Sequence, residues 1–151
     1  MNIVLLSPEI PTNTGNIGRL CLATGSQLHL IEPFGFEITD KRLKRAGLDY
    51  WQHLDVKYYK CFDDFIQTNH NAQLYLFTAH AKQSLWEIEF QPNDFLIFGK
   101  ESVGLPKTIT EKYPDNCYNI PMFSSNIRSL NLANATAIVI YEGLRQLSMA
   151  N

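Results

Sequence analysis

Short apolar runs alternate with stretches of helical spacing from one end of this chain to the other, and that alternation narrows the fold more than any other feature. Asn2 to Leu6 is an apolar run closed by Ser7-Pro8. From Pro11 to Thr24, the residues Ile17, Leu20, Cys21 and Thr24 keep helical spacing, with Asn13 or Thr14 as the expected cap and Gly25 as the stop. Gln27 to Glu32 and Val56 to Tyr59 read as strands, and Lys41 to Leu48 and Phe62 to Gln67 as helices. Gln73 to Thr78 and Asp94 to Phe98 are further apolar strands. Pro106 to Lys112 opens on proline, which suits the first turn of a helix. Cys117 to Ile120 is the last strand, and about Leu130 to Leu147 the longest helix. Strands with no polar face need cover on both sides. The pattern therefore predicts an α/β fold, a mostly parallel sheet with helices on both faces.

With no repeat and no linker, residues 1–151 are expected to form a single domain large enough to bury a real core. The final helix predicts more. Ala135, Ala137, Ile138, Val139, Ile140 and Tyr141 leave it almost no polar face, and a helix apolar all round is buried all round. In so small a chain the missing cover is expected from a second copy, giving a homodimer through the C-terminal helix. The β-branched run Ile138-Val139-Ile140 also fits a strand, but its flanks favour helix.

Composition and spacing exclude several classes. No run approaches the ~20 apolar residues of a membrane span, and the N-terminal segment lacks the basic region of a signal peptide. Cys21, Cys61 and Cys117 are scattered and odd in number, which fits three reduced core thiols in a cytoplasmic protein. His29, His53, His70 and His80 show no metal-ligand spacing, so they read as structural or exposed and no metal is expected. The net charge of −2 argues against a polycation, yet Lys41, Arg42, Lys44 and Arg45 concentrate four of the 13 basic residues. With Tyr50 and Trp51 nearby, that patch suits RNA phosphates or a stacked base; it equally suits a solvated helix face. The dinucleotide fingerprint, the P-loop and the G-x-S-x-G elbow are all absent.

Three glycine- or asparagine-rich turns remain. Pro8 to Arg19 gathers Asn13, Asn16 and Arg19 near one helix start, where free N–H groups and an arginine suit a phosphate; a capped helix with a surface arginine fits the same residues. Phe98-Gly99-Lys100-Glu101-Ser102-Val103-Gly104-Leu105-Pro106 follows a strand, the place where open parallel sheets bind ligands; a plain strand-to-helix turn fits it too. Ile120 to Asn134 carries Ser129, Asn131 and Asn134, more polar residues than one cap requires, and the surplus suggests a ligand.

Together, PEIPTNTGNIGRLC, KRLKRAGLDYW, FGKESVGLP and IPM…RSLNLANATAIVIYE resemble the SPOUT superfamily of RNA methyltransferases. Within it they are most similar to the small tRNA (cytidine/uridine) 2′-O-methyltransferases that modify the wobble nucleotide. The resemblance implies a deep trefoil knot in the C-terminal part of the sheet. It implies S-adenosylmethionine as co-substrate, held by Phe77, Thr78, Gly99, Ile120, Ser129 and Leu130, largely through backbone groups. It sets Arg19, Asn13, Glu101, Ser129 and Asn131 around the reacting hydroxyl. It implies a tRNA partner gripped by its anticodon stem-loop, with cytidine or modified uridine 34 of leucine tRNAs as the target. Two departures stand out: the loop Phe123 to Ile127 is about one residue longer than usual, and Ala133 stands where similar proteins often carry serine.

The implied reaction is an in-line displacement at an already activated methyl, so alignment and proton removal are the tasks left to the protein. Free arginine is too weakly acidic to act as a base. Arg19 is therefore expected to hold the adjacent phosphate and orient the hydroxyl. The rivals are the same chemistry on another tRNA position or on rRNA, a non-catalytic S-adenosylmethionine or RNA-binding module, and an ordinary nucleotide-binding α/β protein. The trio Arg19, Glu101 and Asn131 disfavours the second, and the missing glycine fingerprint disfavours the third.

Overall fold

A seven-stranded sheet forms the centre of the computed structural model, which describes residues 1–37 and 49–149. The strands are β1 (Asn2–Leu6), β2 (Gln27–Ile31), β3 (Val56–Tyr59), β4 (Leu74–Phe77), β5 (Gln83–Ser84), β6 (Phe95–Phe98) and β7 (Cys117–Asn119). They lie in the order β3-β2-β1-β6-β4-β7-β5, and every pairing is parallel. The two-residue β5 is too short to show a period and had no counterpart in the sequence reading. Four α-helices are described: α1 (Pro11–Thr24), α2 (Phe62–Thr68), α3 (Lys107–Lys112) and α4 (Leu132–Met149).

Alternating strand residues feed two cores. Ile3, Leu5, Leu28, Leu30, Leu96 and Phe98 join Ile17 and Cys21 of α1 and Val139 and Ile140 of α4 on one face. Val4, Leu6, Ile31 and Ile97 join Phe62 and Phe65 of α2 and Leu105 on the other. Each such side chain contributes roughly 1.5–3 kcal/mol of burial, so the sheet is a rigid platform for whatever its ends carry. Ile138 to Ile140 are helical, and α4 buries Leu132, Thr136, Val139, Ile140 and Gly143. Part of its remaining surface is left uncovered by the described residues: Ile138 is 42% and Tyr141 57% exposed.

Two sequence expectations change. Cys61 is exposed while Cys21 and Cys117 are buried; it is the N-cap of α2 and lies outside that helix's buried stripe. Helix α1 begins at Pro11, so Asn13 and Thr14 fall inside its first turn; the cap is Ile10, which offers no side-chain hydrogen bond. Its C-terminal stop is Gly25 at φ 63, as expected of glycine in the left-handed region. The basic stretch Lys41 to Arg45, with the helix expected over Lys41 to Leu48, lies outside the described residues.

Candidate active site

The sheet changes direction at its middle. From β1 the chain builds outward through β2 and β3, then crosses to the other side of β1, where β6, β4, β7 and β5 lie in that spatial order. In an open parallel sheet such a switch leaves a crevice beyond the carboxyl ends of the strands. A crevice of about 1010 Å³ lies there, walled by Phe77 to His80 after β4, Phe98 to Gly104 at the end of β6, Ile120 and Met122 after β7, and Arg128 to Leu132 leading into α4. Ile10 and Asn13 close it from the start of α1.

The six residues expected at the donor, Phe77, Thr78, Gly99, Ile120, Ser129 and Leu130, all line this crevice, as do Asn13, Glu101 and Asn131. The Phe77 and Phe98 rings stack with centroids 5.0 Å apart. The 99–104 loop folds back on itself: Gly104 N–H donates to the Lys100 carbonyl at 2.8 Å, with Gly104 at φ 74. A methyl group on Gly99 would sit 2.1 Å from the Gly104 carbonyl carbon and 2.2 Å from the Leu105 nitrogen. Only glycine permits that backbone-on-backbone approach.

A hydrogen-bond network joins the three turns. The Glu101 carboxylate accepts from the N–H groups of Glu9 at 2.8 Å and Ile10 at 3.1 Å, and from Asn13 Nδ2 at 3.0 Å. Asn13 Oδ1 accepts from Asn131 Nδ2 at 3.0 Å. Asn131 Oδ1 in turn accepts from the N–H groups of Ala133 at 2.9 Å and Asn134 at 3.3 Å. Asn13 is only 6% exposed and uses both ends of its amide here. Glu9 reaches the opposite way: its Oε2 accepts from Ser102 N–H at 3.0 Å, and its Oε1 lies 3.5 Å from Lys100 Nζ. Hydrogen bonds from Ser102, then the Lys100 charge, hold the Glu9 carboxyl below its ordinary value.

Arg19 is not among the residues that wall the crevice. It stands six positions beyond Asn13, about 240° round the helix, and its guanidinium covers the Tyr50 ring at 4.9 Å. Trp51, expected beside the basic patch as a stacking ring, is packed on α1: a methyl on Gly18 would meet it at 2.8 Å. Sequence reasoning passed over His80, Lys100 and Met122, all of which line the crevice. The usable signal was positional, since each follows the carboxyl end of a strand. Among the described residues no group of His, Cys, Asp or Glu is placed to hold a metal ion.

The sequence profile of the SpoU rRNA Methylase family matches residues 1–141. A tRNA (cytidine(34)-2′-O)-methyltransferase from Aeromonas hydrophila is 47% identical over 99% of this chain and 96% of its own. A structure solved in work on the 2-OH methylation of C/U34 on tRNA superposes with a TM-score of 0.91 at 42% identity, covering 98% of this chain and 96% of its own. The SpoU methyltransferase AviRb from Streptomyces viridochromogenes, solved with the cofactor AdoMet, superposes at a TM-score of 0.81 and 23% identity, over 98% of this chain and 58% of its own. That last likeness speaks to fold alone.

Proposed function

The chain belongs to the SpoU rRNA Methylase family, and from that premise we propose that it is a tRNA 2′-O-methyltransferase acting on nucleotide 34, cytidine or modified uridine, with S-adenosylmethionine as donor. The observation that carries this reading is the crevice itself. Four turns distant in sequence meet at the strand ends of a chain 47% identical, over nearly its whole length, to a relative named for that activity.

The lining suits the donor by its chemistry. Apolar Ile120 and Leu130 beside the backbone at Phe77, Thr78 and Gly99 suit an adenosyl group, and the cations Lys100 and Arg128 suit a carboxylate. S-adenosylmethionine supplies a methyl already activated on a sulfonium. Asn13, Glu101, Ser129 and Asn131 then shape the acceptor side of the crevice. Glu101 holds three donors and acts by fixing the start of α1. Arg19, on the exposed side of α1 and outside the crevice of its own chain, holds an RNA phosphate adjacent to the target nucleotide; its fork suits a phosphate better than a point charge does. The 2′-hydroxyl is also what separates RNA from DNA as substrate.

Three further features belong to the same proposal. The β6–β7–α4 part is tied in a trefoil knot. Two copies pair through α4, where Ile138 and Tyr141 lie exposed one turn apart. The protein works in the cytoplasm as one domain; no helix among the described residues is long and apolar enough to cross a membrane. The test is purified chain, S-adenosylmethionine and a leucine-tRNA anticodon stem-loop, read by nucleoside mass spectrometry. A 2′-O-methyl at nucleotide 34 is expected, together with S-adenosylhomocysteine binding by calorimetry. Methylation elsewhere, or none, would replace the reading, and an Arg19→Lys variant with undiminished activity would remove the role of Arg19.

A further inference from the structure

Glu9 has no part in the roles assigned so far, yet three independent features converge on its segment. Ser7, just after β1, holds a positive φ of 53, which costs a non-glycine residue energy and persists only where surroundings impose it. Behind Glu9 lies Gly35: its N–H donates to the Pro8 carbonyl at 2.9 Å, and a methyl there would meet the Glu9 Cα at 2.8 Å. In front, the Glu9 carboxylate holds Ser102 N–H and Lys100 of the 99–104 loop. That same loop returns Glu101 to the Glu9 and Ile10 N–H groups. The contact is reciprocal, each segment's carboxylate gripping the other's backbone.

We propose that Glu9 is a positioning residue: through the crossed pair Glu9–Ser102 and Glu101–Glu9/Ile10 it locks the 99–104 loop to the start of α1, so that the wall of the donor crevice and the acceptor-side Asn13 are set as one body. This rests on the methyltransferase reading above. Charge-assisted bonds to backbone N–H groups are the strong class of hydrogen bond. Three of them, two running one way and one the other, leave little freedom for one segment to shift without the other. A donor seated against Gly99 then fixes the place of Asn13, and through Asn131 the start of α4.

The test compares the full chain with Glu9→Ala and Glu9→Gln. Loss of one charge-assisted contact is worth about tenfold in an equilibrium, so Glu9→Ala is expected to weaken S-adenosylhomocysteine binding about tenfold by calorimetry. It should also lower kcat, because Asn13 shifts, and lower the melting temperature by about 3–6 °C. Glu9→Gln keeps an oxygen for Ser102 N–H and should recover most of the affinity. Amide hydrogen exchange needs no ligand: in Glu9→Ala it should quicken together in 8–13 and 99–104. Quickening in one segment alone, or in neither, overturns the lock whatever the protein binds. Should Glu9→Ala fail to fold, an unrecovered Glu9→Gln overturns it instead. If the full chain binds no S-adenosylhomocysteine, the methyltransferase reading falls while exchange still decides the lock. If both bind and methylate alike, the lock alone falls.

Discussion

Two helices begin at the crevice, and they begin in opposite ways. Helix α4 is capped from within its own sequence: Asn131, directly before it, accepts from the N–H groups of Ala133 and Asn134. Helix α1 has no such residue. Its N-cap Ile10 makes no side-chain hydrogen bond, and the carboxylate at its entry is Glu101, 91 positions away from Ile10. A locally capped start depends only on its neighbours in the chain. The start of α1 depends on the 99–104 loop having already docked. The first helix is therefore coupled to the crevice in a way the last helix is not.

The severest way to break that coupling is to push the loop away. Gly99→Ala places a methyl against the Gly104 and Leu105 backbone, which cannot yield as a side-chain end would, so the loop moves and takes Glu101 with it. Misplacement of this kind costs about a hundredfold in rate, and S-adenosylhomocysteine binding should fall in the same variant; a near-normal rate would mean that the loop is not a wall of the site. Next in size is Glu101→Ala, which strips two backbone donors and Asn13 of their acceptor. A cap with a charged acceptor is worth about 2 kcal/mol, or about 4–8 °C in melting temperature for a chain of this size. Circular dichroism should record that drop, with exchange quickening at the first turn of α1 and not at that of α4. Equal quickening at both would erase the contrast between them.

The same contrast marks what the sequence made legible. Every strand but β5, together with α2 and α4, was readable because apolar periodicity is local, and Asn131 was readable as a capping residue because a cap sits beside its helix. The six residues expected at the donor were reached through a resemblance, reinforced by their place after strands. The Glu101 cap of α1 was not readable, since a contact across 91 positions leaves no periodic trace, and Asn13 or Thr14 took its place as the expected cap. Arg19 and Asn13 share one motif in the sequence, but the helix turns them to different faces. Glu9 lies within that motif, where nothing in the sequence marks a role for it. Its partners lie on a loop that only the fold brings near.

A smaller effect is expected away from both helix starts. His29 on β2 is 2% exposed, with Nδ1 2.9 Å from the Tyr59 hydroxyl and Nε2 3.3 Å from Asn2 Oδ1. Burial first, then the Lys57 charge, lowers its pKa from 6.5 to about 4. The folded state thus keeps His29 neutral while the unfolded chain takes up a proton between those values. Stability from this group is complete above pH 6.5 and is lost as the pH falls toward 4. From about pH 7 to 5.5 the loss should be about 1 kcal/mol. Urea unfolding at the two pH values measures it, and the decrement should vanish in His29→Gln. Unchanged pH dependence in that variant would assign the loss to other groups.

The smallest change asks whether Asn131 caps α4 only or also carries the link to Asn13. Asn131→Asp keeps an oxygen for the Ala133 and Asn134 N–H groups, and its negative charge suits a helix start. It removes the Nδ2 that donates to Asn13 Oδ1 and sets two acceptors face to face, because Asn13 Nδ2 is already committed to Glu101. The two functions therefore separate: melting temperature holds, while methyl transfer drops a few-fold through a lower kcat rather than a higher KM for the donor. If transfer holds as well, the chain of bonds from Glu101 through Asn13 ends at Asn13, and α4 starts independently of the crevice it borders. If melting falls instead, α4 relies on the link as α1 relies on Glu101, and the two helix starts are of one kind.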